Sequence, residues 1–372
     1  MILETSALPA ALYLKKSCDG MNATLENLPN RIDRPSAWVG TEMAADHAKW
    51  LYHLTSAEVE DLENAARHYL GLSRDIGEIS STDFPLGRFS GHLQQLKEKL
   101  LHGVGVEVIR GLPIGRYSQE FVATIFCGIG AHLGSARSQN AQGHILGHVR
   151  DTGAAASDVN TRIYQTSERQ TFHTDSADVV GLLCIREAME GGKSLLVSVE
   201  TIYNRMRQER PDLLPLLFET VATDRRGEVP EGARPFFEIP VLSWHAGLLT
   251  AMYQRQYIDS GQRFPDARRL TERHVEALDY FDKLANDPEI HFSMQLEAGD
   301  IQFVYNHSQL HDRTGYTDWN EAGKRRHLFR LWLSIDGDRP LPRCFEQRYG
   351  SIEVGNRGGI VTSQTTLHAP LD

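Results

Sequence analysis

The chain has 372 residues, 41% hydrophobic and 24% charged, with a formal net charge of -10; this suits a globular enzyme of one large domain or two and argues against non-specific nucleic-acid or anionic-membrane binding. No apolar run reaches the roughly 18 residues of a membrane helix. Cys18, Cys127, Cys184 and Cys344 form no Cys-x-x-Cys, and Lys15 and Lys16 follow rather than precede a short apolar stretch, so a disulfide framework, a zinc ribbon and a signal peptide are excluded and a cytoplasmic protein is expected.

Residues 1 to about 50 scatter Pro9, Pro29 and Pro35 among polar residues and predict an irregular arm on the surface. Thr55-Ser56-Ala57-Glu58 has the form of a capping box, and Val59, Leu62, Ala66 and Tyr69 continue as a helical stripe to Gly71. Leu93, Leu96, Leu100 and Leu101 predict a second helix, and Val104 to Ile109 a short strand. Ser118 opens a third helix through Phe121, Ile125 and Ile129, ending near Gly134. From about residue 160 the pattern changes to short strands between turn residues, with Val179 to Ile185 and, after Gly191-Gly192, Ser194 to Val199. A helical insert at about 200–290 covers Thr201 to Gln208, Pro211 to Leu214 and Thr271 to Ala285. Strands resume at His291 to Leu296, Ile301 to Asn306 and Arg326 to Ile335. Together these predict an α+β protein with a mainly β core, a sandwich or jelly roll. Residues 1–84 are an N-terminal arm and helical extension, 85–345 the core domain and 346–372 a C-terminal tail.

Chemistry concentrates in Gln170-Thr171-Phe172-His173-Thr174-Asp175-Ser176. On an extended strand, side chains at i and i+2 leave the same face, so His173 and Asp175 converge where a mononuclear iron can sit. The motif alone is weak, since composition yields about two such pairs by chance. A second pair, His274-Val275-Glu276, lies where Val275, Leu278 and Phe281 recur with helical spacing. Positions i and i+2 on a helix point roughly 200° apart, so that pair is expected on a solvated helix face. A facial triad also needs a second histidine from a distant strand, leaving three positions open for co-substrate and dioxygen. His307 and His311 both qualify, because four residues apart they can share a strand face.

The combination of Phe172-His173-Thr174-Asp175, Gly299-Asp300, His311-Asp312-Arg313-Thr314 and Arg325-Arg326-His327-Leu328-Phe329-Arg330-Leu331 resembles the iron(II)/2-oxoglutarate oxygenases of the taurine dioxygenase (TauD/TfdA) and clavaminate synthase group, over residues 85 to 345. The resemblance implies a double-stranded β-helix, a distorted jelly roll with metal at its mouth. It selects His311 as the distal ligand, with Asp312 in place of the usual glycine. It also implies decarboxylation of 2-oxoglutarate to succinate with dioxygen, and oxidation, most simply hydroxylation, of a small substrate.

Co-substrate binding needs a fixed cation for the far carboxylate, and arginine suits it through its planar fork. On the last strand Arg326, Leu328, Arg330 and Trp332 share one face, while Arg325 shares the other with Phe329, Leu331 and Leu333. In the family the co-substrate arginine lies four residues before a second arginine, which assigns that role to Arg326, and a hydroxyl after a Gly-Gly pair assists, here Ser194. Substrate candidates are Arg330, Arg169 (where taurine dioxygenase has an asparagine), Tyr164 and Phe172, with ordinary core packing the favoured role for Phe172. The cluster of Arg150, Arg162 and Arg169 is read equally as a site for a carboxylate-bearing small molecule or as a solvated charge face, with self-association left open. Asp175 argues against a halogenase, since halogenating relatives give up the metal carboxylate. The competing expectation is a non-catalytic β-helix that binds a metabolite or a protein through a relic site.

Overall fold

The computed structural model describes residues 24–154 and 162–371; Lys15, Lys16 and Cys18, on which the expectation of no signal peptide and no disulfide framework partly rests, lie outside them. The Thr55 capping box forms: its hydroxyl accepts the Glu58 N–H while the Glu58 carboxylate accepts the Thr55 N–H at 2.8 Å. That box starts the helix Ser56–Gly71, and a Ser118 cap starts Gln119–Leu133. With Phe89–His102, these helices bury Leu62, Tyr69, Leu93, Leu96, Ile125 and Ile129 against one face of a seven-stranded sheet, where Ile109, Leu183, Phe303, Phe329 and Leu331 meet them. The sheet runs Leu51–His53, Val106–Arg110, Ile301–Tyr305, Val179–Arg186, His327–Ser334, Ser135–Ala136, with Leu146–Val149 also on the His327–Ser334 strand. Only its first pair is parallel.

A second, antiparallel sheet runs Phe292–Met294, Ser194–Ser198, Gln309–Arg313, Gln170–His173. Strand alternation sorts its residues. Phe172, Leu195, Val197 and Leu310 pack outward on the helices Val199–Glu209 and Glu272–Ala285. Leu196, Phe292 and Met294 turn inward to meet Val108, Cys184, Val304 and Leu328 of the large sheet. A mainly β core between helical layers therefore holds, as expected for α+β.

Three expectations are corrected. The segment from residue 24 to 50 is anchored rather than superficial, because Leu28, Ile32, Trp38, Met43 and Trp50 are buried and Trp38 meets Phe292 edge-on at 5.2 Å. The insert at 200–290 is not helical throughout. It carries the hairpins Thr220–Asp224 with Phe236–Pro240 and Leu242–His245 with Leu248–Ala251. His274 is not on a solvated face but buried in the first turn of its helix, where its Nδ1 accepts the Thr271 hydroxyl at 2.7 Å. Glu276 alone stays outside, paired with Arg210 and Arg273. Beyond the last strand the chain returns to the core, burying Phe345, Tyr349, Arg357, Ile360 and Ala369. Among the described residues, no helix is long and apolar enough to cross a membrane.

Candidate active site

The strand Gln170–His173 ends at the first histidine, so Thr174 and Asp175 are placed by other bonds. Thr174 N–H donates to the Tyr253 carbonyl at 2.8 Å. Asn306 accepts the Asp175 N–H at 2.8 Å and donates to the Asp175 and Ala177 carbonyls. His311 comes from the neighbouring strand, whose pairing puts it opposite His173. One ligand-type atom from each of His173, Asp175 and His311 lies within 4.8 Å of the others, with His173 Nε2 3.9 Å and His311 Nε2 3.6 Å from the Asp175 carboxylate. Between His311 and Arg313 the pairing slips, so that Arg313 faces Gln170. This bulge lets Gln170 and His173 both face the interior.

Tautomer and charge follow from the surroundings. His173 Nδ1 sits 2.9 Å from the Thr171 carbonyl and must donate to it, so Nε2 carries the lone pair, and the Gln170 amide donates to it at 2.9 Å. Burial, with His311 nearby, pushes the His173 imidazolium pKa down to about 3, keeping the ring neutral. For Asp175, burial favours the protonated form, but Arg330 and the two histidines outweigh it and hold the carboxyl well below the usual carboxylate range. Trp332 Nε1 donates to the same carboxylate at 2.8 Å, and Arg330 Nη1 approaches it at 3.4 Å. Gln139 accepts from Arg330 Nε at 2.7 Å, and the guanidinium lies against the Tyr164 and Trp332 rings at 4.6 and 4.9 Å. Arg330 is thus largely committed to orienting Asp175.

On one side of the cluster a cavity of about 40 Å³ is lined by Ser194, His311, Arg313, Arg326, Arg330 and Tyr164, among others. Arg326 is buried while Arg325 is exposed. Arg326 Nη1 and Arg313 Nε have no hydrogen-bond partner, and no described carboxylate pairs with either side chain. Arg313 spends its terminal nitrogens on the Thr166 and Glu168 carbonyls, so Arg326 is the buried cation whose open donor in this polar pocket calls for an anion, since leaving it unmet is costly. The glycine pair makes room: Gly192 has φ +68°, and a Cβ there would come within 2.9 Å of Arg326 Nε.

Across the cluster a second cavity of about 40 Å³ is lined by His173, Asp175, Ser176, Thr223, Asp224, Met252, Gln254, Tyr257, Arg330 and Arg348, with Tyr164, Arg162 and Phe237. Arg348 also lines a larger outer cavity of about 1030 Å³ between the Phe236–Pro240 hairpin and the C-terminal segment. Burial, with Arg162 nearby, pushes the Arg348 pKa down to about 10.

The geometry brings His173, Asp175, His311, Arg326, Ser194, Arg330 and Tyr164 around one point. Two candidates are not there. Phe172 is 1% exposed and packs outward beside His291, because strand alternation turns it away from the inward His173. Arg169 also faces away: it donates from Nε to Asp312 at 3.0 Å and from Nη2 to Asn286 at 2.6 Å. The two departures from the family pattern, Arg169 and Asp312, are therefore each other's partner. His307 precedes its strand and belongs to a separate buried cluster with Asp178 and Asp338, at 2.9 and 3.5 Å. Sequence reasoning missed Gln139, Gln254, Arg313 and Arg348. Arg313 stood within the quoted motif; the others carry no local signal.

Comparison with known proteins points to the same chemistry. The family described as "Taurine catabolism dioxygenase TauD, TfdA family" matches residues 68–332. FR-33289 synthase of Streptomyces rubellomurinus is 32% identical over 327 residues, 86% of this chain and 94% of that protein. A taurine hydroxylase-like protein of Stachybotrys chartarum is 28% identical over 314 residues, 82% of this chain and 80% of its own. In fold, the chain is similar to an asparagine oxygenase solved with Fe(II), 3-hydroxyasparagine and succinate, at TM-score 0.59 and 17% identity over 76% of this chain and 93% of that one. The chain belongs to the TauD/TfdA family and is an iron(II)- and 2-oxoglutarate-dependent dioxygenase.

Proposed function

We propose that the enzyme hydroxylates a small organic anion, with His173, Asp175 and His311 holding iron(II) and Arg326 and Ser194 holding 2-oxoglutarate. The observation that carries this reading is the convergence of two imidazoles and one carboxylate within 4.8 Å, flanked on both sides by cavities. That donor set fits iron(II), because three protein ligands leave positions open, whereas a closed structural zinc site takes four. The unpartnered Arg326 Nη1 supports a carboxylate there. The two facing antiparallel sheets are in keeping with a double-stranded β-helix, and we assign residues 85–345 to the catalytic domain, with 1–84 as extension and 346–372 as tail. The buried Cys127 and Cys184, which form no disulfide, favour a cytoplasmic setting.

Bound iron, with 2-oxoglutarate and dioxygen, supplies a two-electron oxidation of a C–H bond coupled to release of succinate and carbon dioxide. The protein's part is placement. The Thr171 carbonyl fixes the His173 tautomer, Gln170 gives up Nε2 to the metal, Trp332 and Arg330 aim the Asp175 carboxylate, and Arg326 with Ser194 anchors the co-substrate tail. Substrate then enters from the opposite cavity, whose walls come from the insert and the C-terminal segment. A pool of small carboxylates, phosphonates and amino acids, offered to the iron-loaded enzyme with 2-oxoglutarate in air, should contain at least one compound that raises succinate formation above the substrate-free rate and gains one oxygen by mass spectrometry. A pool that leaves succinate formation at background throughout would contradict the reading.

A further inference from the structure

We infer that Arg348, outside the strands that carry the metal and co-substrate residues, is the residue that recognises the substrate's oxyanion headgroup. The inference rests on the iron/2-oxoglutarate reading of the site. Arg348 sits on the short helix Glu346–Tyr349, and its Nε donates to Ser176 Oγ at 2.6 Å, next to Asp175 in sequence. No described carboxylate pairs with it, and its guanidinium lies 5.5 Å from the Phe237 ring centre. The other arginines near the cluster are engaged differently. Arg162 pairs with Glu228, Arg169 with Asp312, and Arg330 with Gln139 and Asp175. Arg326 faces the co-substrate cavity. Arg348 alone of these arginines lines both the inner cavity beside Asp175 and the large outer cavity.

A cation in such a position has a direct consequence for the substrate. Its fork is oriented by Ser176, so the two terminal nitrogens are left to make parallel bonds to an oxyanion. With iron, Arg330 and Arg348 on this side, Asp175 turned to the metal and Asp224 already paired with Arg263, an anionic substrate is held and a cationic one repelled. The outer cavity, at about 1030 Å³, is at the upper end of ordinary ligand sites. The Arg162–Glu228 pair joins a residue of the inner wall to one of the outer wall, so the two cavities adjoin, and Arg348 lines both.

The test uses anaerobic protein loaded with iron(II) and 2-oxoglutarate and measures binding of inorganic phosphate, methylphosphonate and propionate by calorimetry. Wild type should bind at least one probe, and a preference between methylphosphonate and propionate tells phosphorus from carboxyl headgroups. Arg348→Gln should weaken that binding at least tenfold and Arg348→Lys by less, because the charge returns without the fork. Arg234→Gln, which removes a charge on the outer wall paired with Glu238, should change it less than twofold. The visible band of the iron–2-oxoglutarate complex should stay the same in all variants. The inference is overturned if no probe binds wild type, if Arg348→Gln binds as wild type does, if Arg234→Gln loses as much, or if Arg348→Gln also loses the band. Failure of wild type to form the band at all would instead contradict the iron and 2-oxoglutarate reading.

Discussion

Among the described residues, two clusters of histidine and carboxylate lie within the fold, and they differ in what surrounds them. His173, Asp175 and His311 on one side, and Asp178, His307 and Asp338 on the other, each offer donor atoms within 4.8 Å of one another. In the second cluster Arg357, fully buried, bonds Asp178 at 2.7 Å and Asp338 at 2.8 Å, so the carboxylates are neutralised from within and a divalent cation would have to displace a guanidinium. Ser334 and the Ile335 N–H also donate to Asp178. In the first cluster Arg330 reaches only one carboxylate oxygen, at 3.4 Å, and cavities open on both flanks. Ligand types alone do not make a metal centre; the counter-charge and the open space beside them decide. The closed cluster instead ties the returning C-terminal segment to the strands beside His173 and His311, which places Arg348.

The largest effect should come from opening the closed cluster. Asp178→Asn leaves Arg357 buried with one of its two carboxylate partners and should cost about 3 to 5 kcal/mol of stability, measured by urea denaturation, while iron stoichiometry at low temperature stays at one. Loss of iron in folded Asp178→Asn protein would show that the two clusters are not separable. A smaller effect sharpens the open side. Arg326→Leu should weaken 2-oxoglutarate binding by about 2 to 5 kcal/mol, whereas Arg325→Leu, on the exposed side of the strand entry, should leave it within twofold. Equal losses at both positions would mean that Arg326 does not hold the co-substrate.

Much of the metal side was legible because its residues sit on strands, where alternation and short motifs report direction. Alternation paired His173 with Asp175 and separated Arg326 from Arg325, while His311, Ser194 and the role of Arg326 came from the family resemblance; the structure brings all five side chains to the cluster and the cavity beside it. The same rule, applied one residue along, removes Phe172 from the pocket, since it neighbours the inward His173. What could not be read came from non-local pairing. The Arg169–Asp312 ion pair joins positions 143 apart, and the contact from Arg348 to Ser176 spans 172 residues. Gln139 reaches Arg330 over 191. The hairpins at 220–251 were hidden inside an insert whose clearest periodicity is the helix Glu272–Ala285. His274 was misread because helical spacing gives the face of a residue but not whether it closes a capping box.

The most direct test of the contrast between the two clusters is an anaerobic iron(II) titration of wild type, His311→Ala and His307→Gln, the last chosen to retain a hydrogen-bond donor toward Asp178. The account predicts one tightly bound iron in wild type and in His307→Gln, and none in His311→Ala. Tight binding retained by His311→Ala and lost in His307→Gln would contradict it.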